Sequence, residues 1–195
     1  MITTRAIVLG LRQHTDRASI LQLYTRAEGR INVLVYGPHA HKRQQALFQP
    51  LTIIDVTYNT KRALPTLESI ESIYLPVAIT ANQYKRCIGL FITEIILLTL
   101  THAMEDSTMY EFLALTIREL DQTENPNNLH ISFMTELADL LGIGINPSEH
   151  PELLKQPLTR HERQQTLQAL CTYYTNSLDT FRTPKSLEIL MEVFD

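Results

Sequence analysis

The apolar positions of the first 75 residues fall in short runs separated by polar turns, and each run has the length and composition of a β-strand. Ile7, Leu9 and Leu11 alternate with Ala6, Val8 and Gly10. After the polar stretch 12–17 comes the run Ile20-Leu21-Gln22-Leu23-Tyr24. Glu28-Gly29-Arg30 is a turn signal, residues 31–36 form a third run rich in β-branched side chains, and Gly37-Pro38 breaks it. Residues 51–58 and 67–75 supply two more. Five short strands predict a small closed barrel, because a two-layer sandwich needs more of them. Closure also removes the sheet edges that invite aggregation.

From Ala78 the period becomes helical. Ile88, Phe91, Ile92, Ile95, Ile96 and Leu98 form a broad apolar face, as on a helix at the centre of a bundle. Asp106-Ser107 predicts the cap of a second helix carrying Tyr110, Leu113, Ile117 and Leu120. Asn125-Pro126-Asn127 opens a third, with Leu129, Phe133, Leu137 and Leu140, and Gly142 closes it. Beyond the Pro- and Gly-containing stretch 142–157, Thr159 caps a fourth bearing Leu167, Leu170, Cys171 and Tyr174. Pro184 opens a last short helix over 187–194. The fold class is therefore α+β, a five-stranded barrel domain over 1–77 followed by an all-α domain over 78–195.

Charge divides along the same line. The net charge is −4, but residues 1–80 hold nine Lys and Arg against five Asp and Glu, and the remainder holds eight against sixteen. A basic half joined to an acidic half suits a polyanion-binding module attached to something that should not bind polyanions. Two cysteines, Cys87 and Cys171, cannot build a disulfide framework or a four-cysteine zinc site. The first twenty residues carry Arg5, Arg12 and Arg17 and show no signal-peptide pattern. The longest apolar stretch, 88–100, is interrupted by Glu94 and is too short to span a bilayer. These features predict a soluble cytoplasmic protein with no membrane partner.

Enzymatic chemistry finds no footing. There is no phosphate-binding Gly-x-x-x-x-Gly-Lys loop, no Gly-x-Gly-x-x-Gly turn and no Gly-x-Ser-x-Gly elbow. His39 and His41 supply half of a tetrahedral metal site. Cys87 and His102, fifteen residues apart on one predicted helix, stand about 22 Å apart along its axis. Glu68 and Glu71, three apart on a strand, face opposite sides. No catalytic residue, metal or cofactor is read from the chain.

A binding pattern is present instead. Single strands are held by cationic grooves that follow phosphates and by rings on which bases stack. Arg12 and Arg17 flank the first turn of the barrel, Arg26 and Arg30 the second. His39, His41, Lys42 and Arg43 fill the loop after the third strand, and Lys61-Arg62 lies between the last two. Tyr24 and Tyr36 sit at strand ends, where a ring serves either stacking or rim packing. Each arginine taken singly is equally a solvated surface charge; recurrence from loop to loop is what marks the set.

The order of these segments resembles the N-terminal barrel of the RecO family of bacterial recombination mediators. The matching features are the opening strand, the polar turn, the strand from Ser19, Thr25 with Glu28-Gly29-Arg30, the Gly37 turn with its basic loop, and Gln49-Pro50 within 47–51. The segment PKSLEILMEVF at 184–194 is similar to the family's closing Ser-Leu helix. The resemblance implies an oligonucleotide/oligosaccharide-binding (OB) barrel and a helical domain in a DNA repair and recombination protein. It implies binding of single- and double-stranded DNA, annealing of complementary strands, and work with RecR to load RecA at gaps coated by single-stranded DNA-binding protein. An apolar groove rimmed by Lys85 and Arg86, with Arg118 behind, is the expected seat for that protein's acidic C-terminal tail. Some relatives carry a four-cysteine zinc site; here only Cys171 lies near it, so no zinc is expected. The stretch 142–159 is shorter than the family's usual insertion, and the loop Pro38-His39-Ala40-His41-Lys42-Arg43 is less basic than in relatives, which makes DNA affinity weaker or more pH-sensitive. An RNA-binding barrel and a protein-assembly scaffold are the alternatives, separated by RNA competition and by salt-insensitive partner binding.

Overall fold

The structure, a computed structural model, describes residues 1–36, 45–101, 106–156 and 159–193. Five strands, β1 (Ile2–Thr15), β2 (Ala18–Thr25), β3 (Gly29–Tyr36), β4 (Ile53–Asn59) and β5 (Thr66–Tyr74), close into a barrel in the order β1-β2-β3-β5-β4. Neighbours are antiparallel except β3 and β5, which close the barrel in parallel through Leu34 and Thr66. This is the OB architecture. Its interior is filled by Ala6, Val8, Leu21, Leu23, Val33, Val35, Ile54, Val56, Tyr58 and Ile70, with Phe48 entering from a 3₁₀ turn at Gln45–Phe48.

The Thr25-to-Arg30 stretch is a folding device. Thr25 Oγ1 accepts from the Glu28 N–H at 3.0 Å and donates to the Gly29 carbonyl at 3.1 Å, and Gly29 takes the left-handed φ of 64° that a glycine adopts without strain. The Glu28 carboxylate then accepts a hydrogen bond from the fully buried Tyr58 hydroxyl, tying the turn to β4. Burial pushes the Tyr58 hydroxyl above its ordinary pKa, and the Glu28 bond and charge push it further.

Seven helices are described: α1 (Val77–Ala81), α2 (Gln83–Thr99), α3 (Ser107–Gln122), α4 (Leu129–Leu140), α5 (Pro151–Leu154), α6 (Arg160–Ser177) and α7 (Ser186–Val193). The single helix expected from Ala78 is two, because the Asn82 side chain accepts from the Lys85 N–H at 3.1 Å and restarts the helix. The predicted caps at Asp106 and Thr159 are formed: Asp106 Oδ1 accepts from Met109 N–H at 2.9 Å, and Thr159 makes a reciprocal capping box with Glu162. Gly142, at φ 73°, ends α4 with paired bonds from Gly142 N–H to the Asp139 carbonyl and Ile143 N–H to the Ala138 carbonyl. The stretch 142–157 holds α5, which sequence reading missed; Pro151 stands in its first turn.

The compact units interleave along the chain. One comprises Met1–Val77 with Leu100–Arg118, the other Ala78–Thr99 with Glu119–Asp195. In the second, Glu94 of α2 accepts from Lys185 N–H (2.9 Å), Ser186 N–H (2.8 Å) and Ser186 Oγ (2.6 Å), capping α7 from outside its own sequence. Burial alone would raise the Glu94 pKa; these three bonds and the Lys185 charge outweigh it and hold it below the ordinary value. A carboxylate depressed on folding stabilises above its unfolded pKa of 4.5 and loses that contribution as pH falls through the folded value. Glu94→Gln is therefore expected to lower stability at pH 7 by about 1 kcal/mol, with the gap to the parent closing as the pH falls below the ordinary value of 4.5. Urea midpoints measured from pH 7 to 3 check this.

Candidate nucleic-acid interface

The barrel interior takes Leu21, Leu23, Val33 and Val35, so the alternate residues of β2 and β3 face outward. Strand register arranges the outward positions of β1, β2 and β3 in three rows: Arg12–Ile20–Leu34, Gly10–Gln22–Asn32 and Ile7–Tyr24–Arg30. In OB barrels this face, with the β1–β2 and β4–β5 loops, receives oligonucleotides.

At one end of the face exposed cations and an exposed ring surround the buried Ala18 and Ile20. Arg12 and Arg17 are exposed on the β1–β2 hairpin, whose Ala18 pairs with Tyr36, and Tyr36 is 50% exposed. Leu34 N–H donates to the Pro65 carbonyl at 2.8 Å, which brings the loop bearing exposed Lys61 and Arg62 to the other side of the first row. From Arg12 to Thr66 the row crosses three strand spacings, about 14 Å. Among the described residues, Arg12, Arg17, Lys61 and Arg62 form no ion pair. His39, His41, Lys42 and Arg43, in the loop that leaves Tyr36, lie outside the described residues, as does His102.

The other end is closed by the chain itself. Of the two roles open to Tyr24, stacking and packing, the structure takes packing: the ring is 3% exposed and unavailable to a base. Burial pushes its hydroxyl pKa to about 12, with the Asp106 charge adding. Arg26 pairs with Glu111 of α3 at 3.4 Å, each side chain about half exposed, a contact worth about 1 kcal/mol at most. Arg30 donates to the Leu100 carbonyl at 3.4 Å, and burial followed by the charge of Arg12 lowers its pKa. Both arginines thus serve to fasten segment 100–118 to the barrel.

The reason that segment settles there is apolar. Tyr24, Ile7, Ile53 and Tyr74 are successive partners across β2, β1, β4 and β5, a row on the outer wall. Asp106 acts on Tyr24 at one end, Arg118 stacks 4.6 Å over the Tyr74 ring at the other, and Tyr110 lies between among Arg5, Asp55 and Arg26. Helix α3 thus lies across the strands.

The expected groove cations divide. Lys85 is 8% exposed and its Nζ donates to the Asp121 carbonyl at 2.7 Å, so it holds helices together and cannot rim a groove. Arg118 is committed to Tyr74. Arg86 is exposed, with half-exposed Leu90 one turn on. Gln22 and Asn32, which sequence reading did not single out, are cross-strand partners on this face, each a polar residue at an outward position inside an otherwise apolar run.

The fold and this face define an OB-barrel protein with a helical extension. Family models described as Recombination protein O N terminal and Recombination protein O C terminal match residues 1–76 and 84–151. Proteins named DNA repair protein RecO are similar along the whole chain: that of Flavobacterium psychrophilum is 28% identical over 99% of both chains, and that of Porphyromonas gingivalis 27% over 100% of both. The chain belongs to the RecO family of DNA repair proteins. The alignment to the Flavobacterium protein runs over 236 positions against 195 residues here, so that relative has residues for which this chain has none. No described helix is long and apolar enough to cross a membrane.

The two tyrosines separate on substitution. Tyr24→Ala should cost about 3–5 kcal/mol, as for a large buried aromatic, and Tyr36→Ala less than about 0.5. Lys85→Ala should lower the urea midpoint and Arg86→Ala leave it within error. Chemical denaturation of the four variants measures all of this.

Proposed function

We propose that the end of the β2–β3 face bearing Arg12, Arg17 and Tyr36 binds single- and double-stranded DNA, and that the protein anneals complementary strands and, with RecR, assists RecA loading at gaps coated by single-stranded DNA-binding protein, in the cytoplasm and without catalysis of its own. What supports this reading is that exposed Arg12, Arg17 and Tyr36 lie at one end of the face, where the loop carrying Lys61 and Arg62 is joined to β3 through the Leu34–Pro65 hydrogen bond. Phosphates of a strand crossing it exchange their counterions for these side chains, and an exposed ring offers a stacking surface. Annealing follows from concentrating and screening two polyanions and needs no bond chemistry. The names of the relatives, all DNA repair proteins, support the DNA reading over an RNA one.

For the acidic tail of single-stranded DNA-binding protein, Arg86 and Leu90 on one face of α2 offer a cation beside an apolar surface. An Arg86→Glu variant is expected to weaken a tail peptide measurably by titration; equal affinity removes this surface.

Arg17→Ala/Lys61→Ala/Arg62→Ala is expected to flatten the log–log salt dependence of single-strand binding by about two units, at about 0.7 per phosphate contact. Fluorescence anisotropy between low and moderate salt reads the slope, and an unchanged slope sinks the assignment.

A further inference from the structure

The Gly10–Gln22–Asn32 row crosses the middle of the face, between the row of Arg12 and the row of Arg30. It carries two uncharged amides, whereas each neighbouring row joins apolar side chains to an arginine. Asn32 Oδ1 is shut off from solvent and has no hydrogen-bond partner among the described residues, although the residue as a whole is part-exposed. Among the described residues the Gln22 side chain makes no hydrogen bond. Gly10 presents no side chain to the row: a Cβ there would touch Gln22 Oε1 at 3.7 Å. Two amides with unused hydrogen-bonding capacity therefore lie side by side on neighbouring strands. Amide torsions of this kind are broad, so a small turn of the Asn32 side chain brings its oxygen to the surface. Arg12 and Arg30 stand on either side, near enough for the charge of one to act on the other.

Each amide offers both donors and an acceptor. A base whose pairing edge is free can satisfy such a pair whatever its identity, whereas a base already paired in a duplex has that edge occupied. A phosphate alone would leave the acceptor oxygens unmatched.

We propose that the Gly10–Gln22–Asn32 row is a seat for one unpaired base, its edge hydrogen-bonded to the Gln22 and Asn32 amides and its phosphate directed to Arg12, and that this seat makes the face prefer single strands to duplexes. The proposal rests on the reading that the barrel face binds DNA. Aromatic stacking at Tyr36 and ion pairing at the loops do not distinguish an unpaired base from a bare backbone in this way.

The test compares the parent chain with Gln22→Ala/Asn32→Ala on three probes of equal length: an oligothymidylate, a fully abasic oligonucleotide and a duplex. The variant should bind the oligothymidylate about tenfold more weakly, while abasic and duplex affinities and the salt slope stay unchanged. Gln22→Met keeps chain length without the amide and should lose about fivefold on the oligothymidylate alone, which keeps the test decisive if the double variant misfolds. Unchanged oligothymidylate binding, or an equal loss on the abasic probe, overturns the seat. A parent chain that binds none of the three probes overturns the DNA reading itself, a result distinct from failure of the seat.

Discussion

A five-stranded barrel fills its inside with its own side chains, but here it also carries an apolar row on its outside. Ile7 and Ile53 are almost wholly buried although the interior is already occupied by Ala6, Val8 and Ile54 on the same strands. Removing such side chains from water is worth about 1.5–3 kcal/mol each, and no surface of the barrel itself can supply the cover. Helix α3 does. From Asp106 to Arg118 it extends about 18 Å, enough to cross the roughly 14 Å spanned by four neighbouring strands. The requirement to bury that row decides which arginines of the barrel are spent on folding and which stay exposed.

This division changes the meaning of the cationic residues. Arg26 and Arg30 sit in the hairpin turn nearest the covered row and are held by Glu111 and the Leu100 carbonyl. Arg12, Arg17, Lys61 and Arg62 sit at the other end, where no described carboxylate pairs with them. The Thr25-to-Arg30 stretch, part of the resemblance to the family, is used throughout for structure: Thr25 and Gly29 shape the turn, Glu28 receives the buried Tyr58 hydroxyl, and Arg30 reaches segment 100–118. The segment at 184–194 has an equally mechanical role, with Ser186 held by Glu94 from ninety residues away.

Local chemistry was legible in the sequence because it acts within a few residues. Alternation and turn residues marked all five strands, and Asp106, Thr159 and Gly142 marked helix ends, since a cap or a left-handed residue satisfies backbone groups three to five positions away. The basic loops could be listed from sequence, and strand order then paired Ala18, next to Arg17, with Tyr36 and joined the β4–β5 loop to Leu34 through Pro65. Lys85 shows the limit: on a helical wheel it is an ordinary surface cation, and only the carbonyl of Asp121, thirty-six residues on, makes it a buried tie.

By itself, then, the sequence determined the barrel, its helical extension and the charge contrast between them, because hydrophobic period and turn chemistry are local properties. Tertiary structure alone decided that segment 100–118 belongs with the barrel, that Tyr24 is core, and that Gln22 and Asn32 are neighbours. Those outcomes depend on which surfaces meet across long stretches of chain. Burial and register are created by that meeting and have no signature in any single segment.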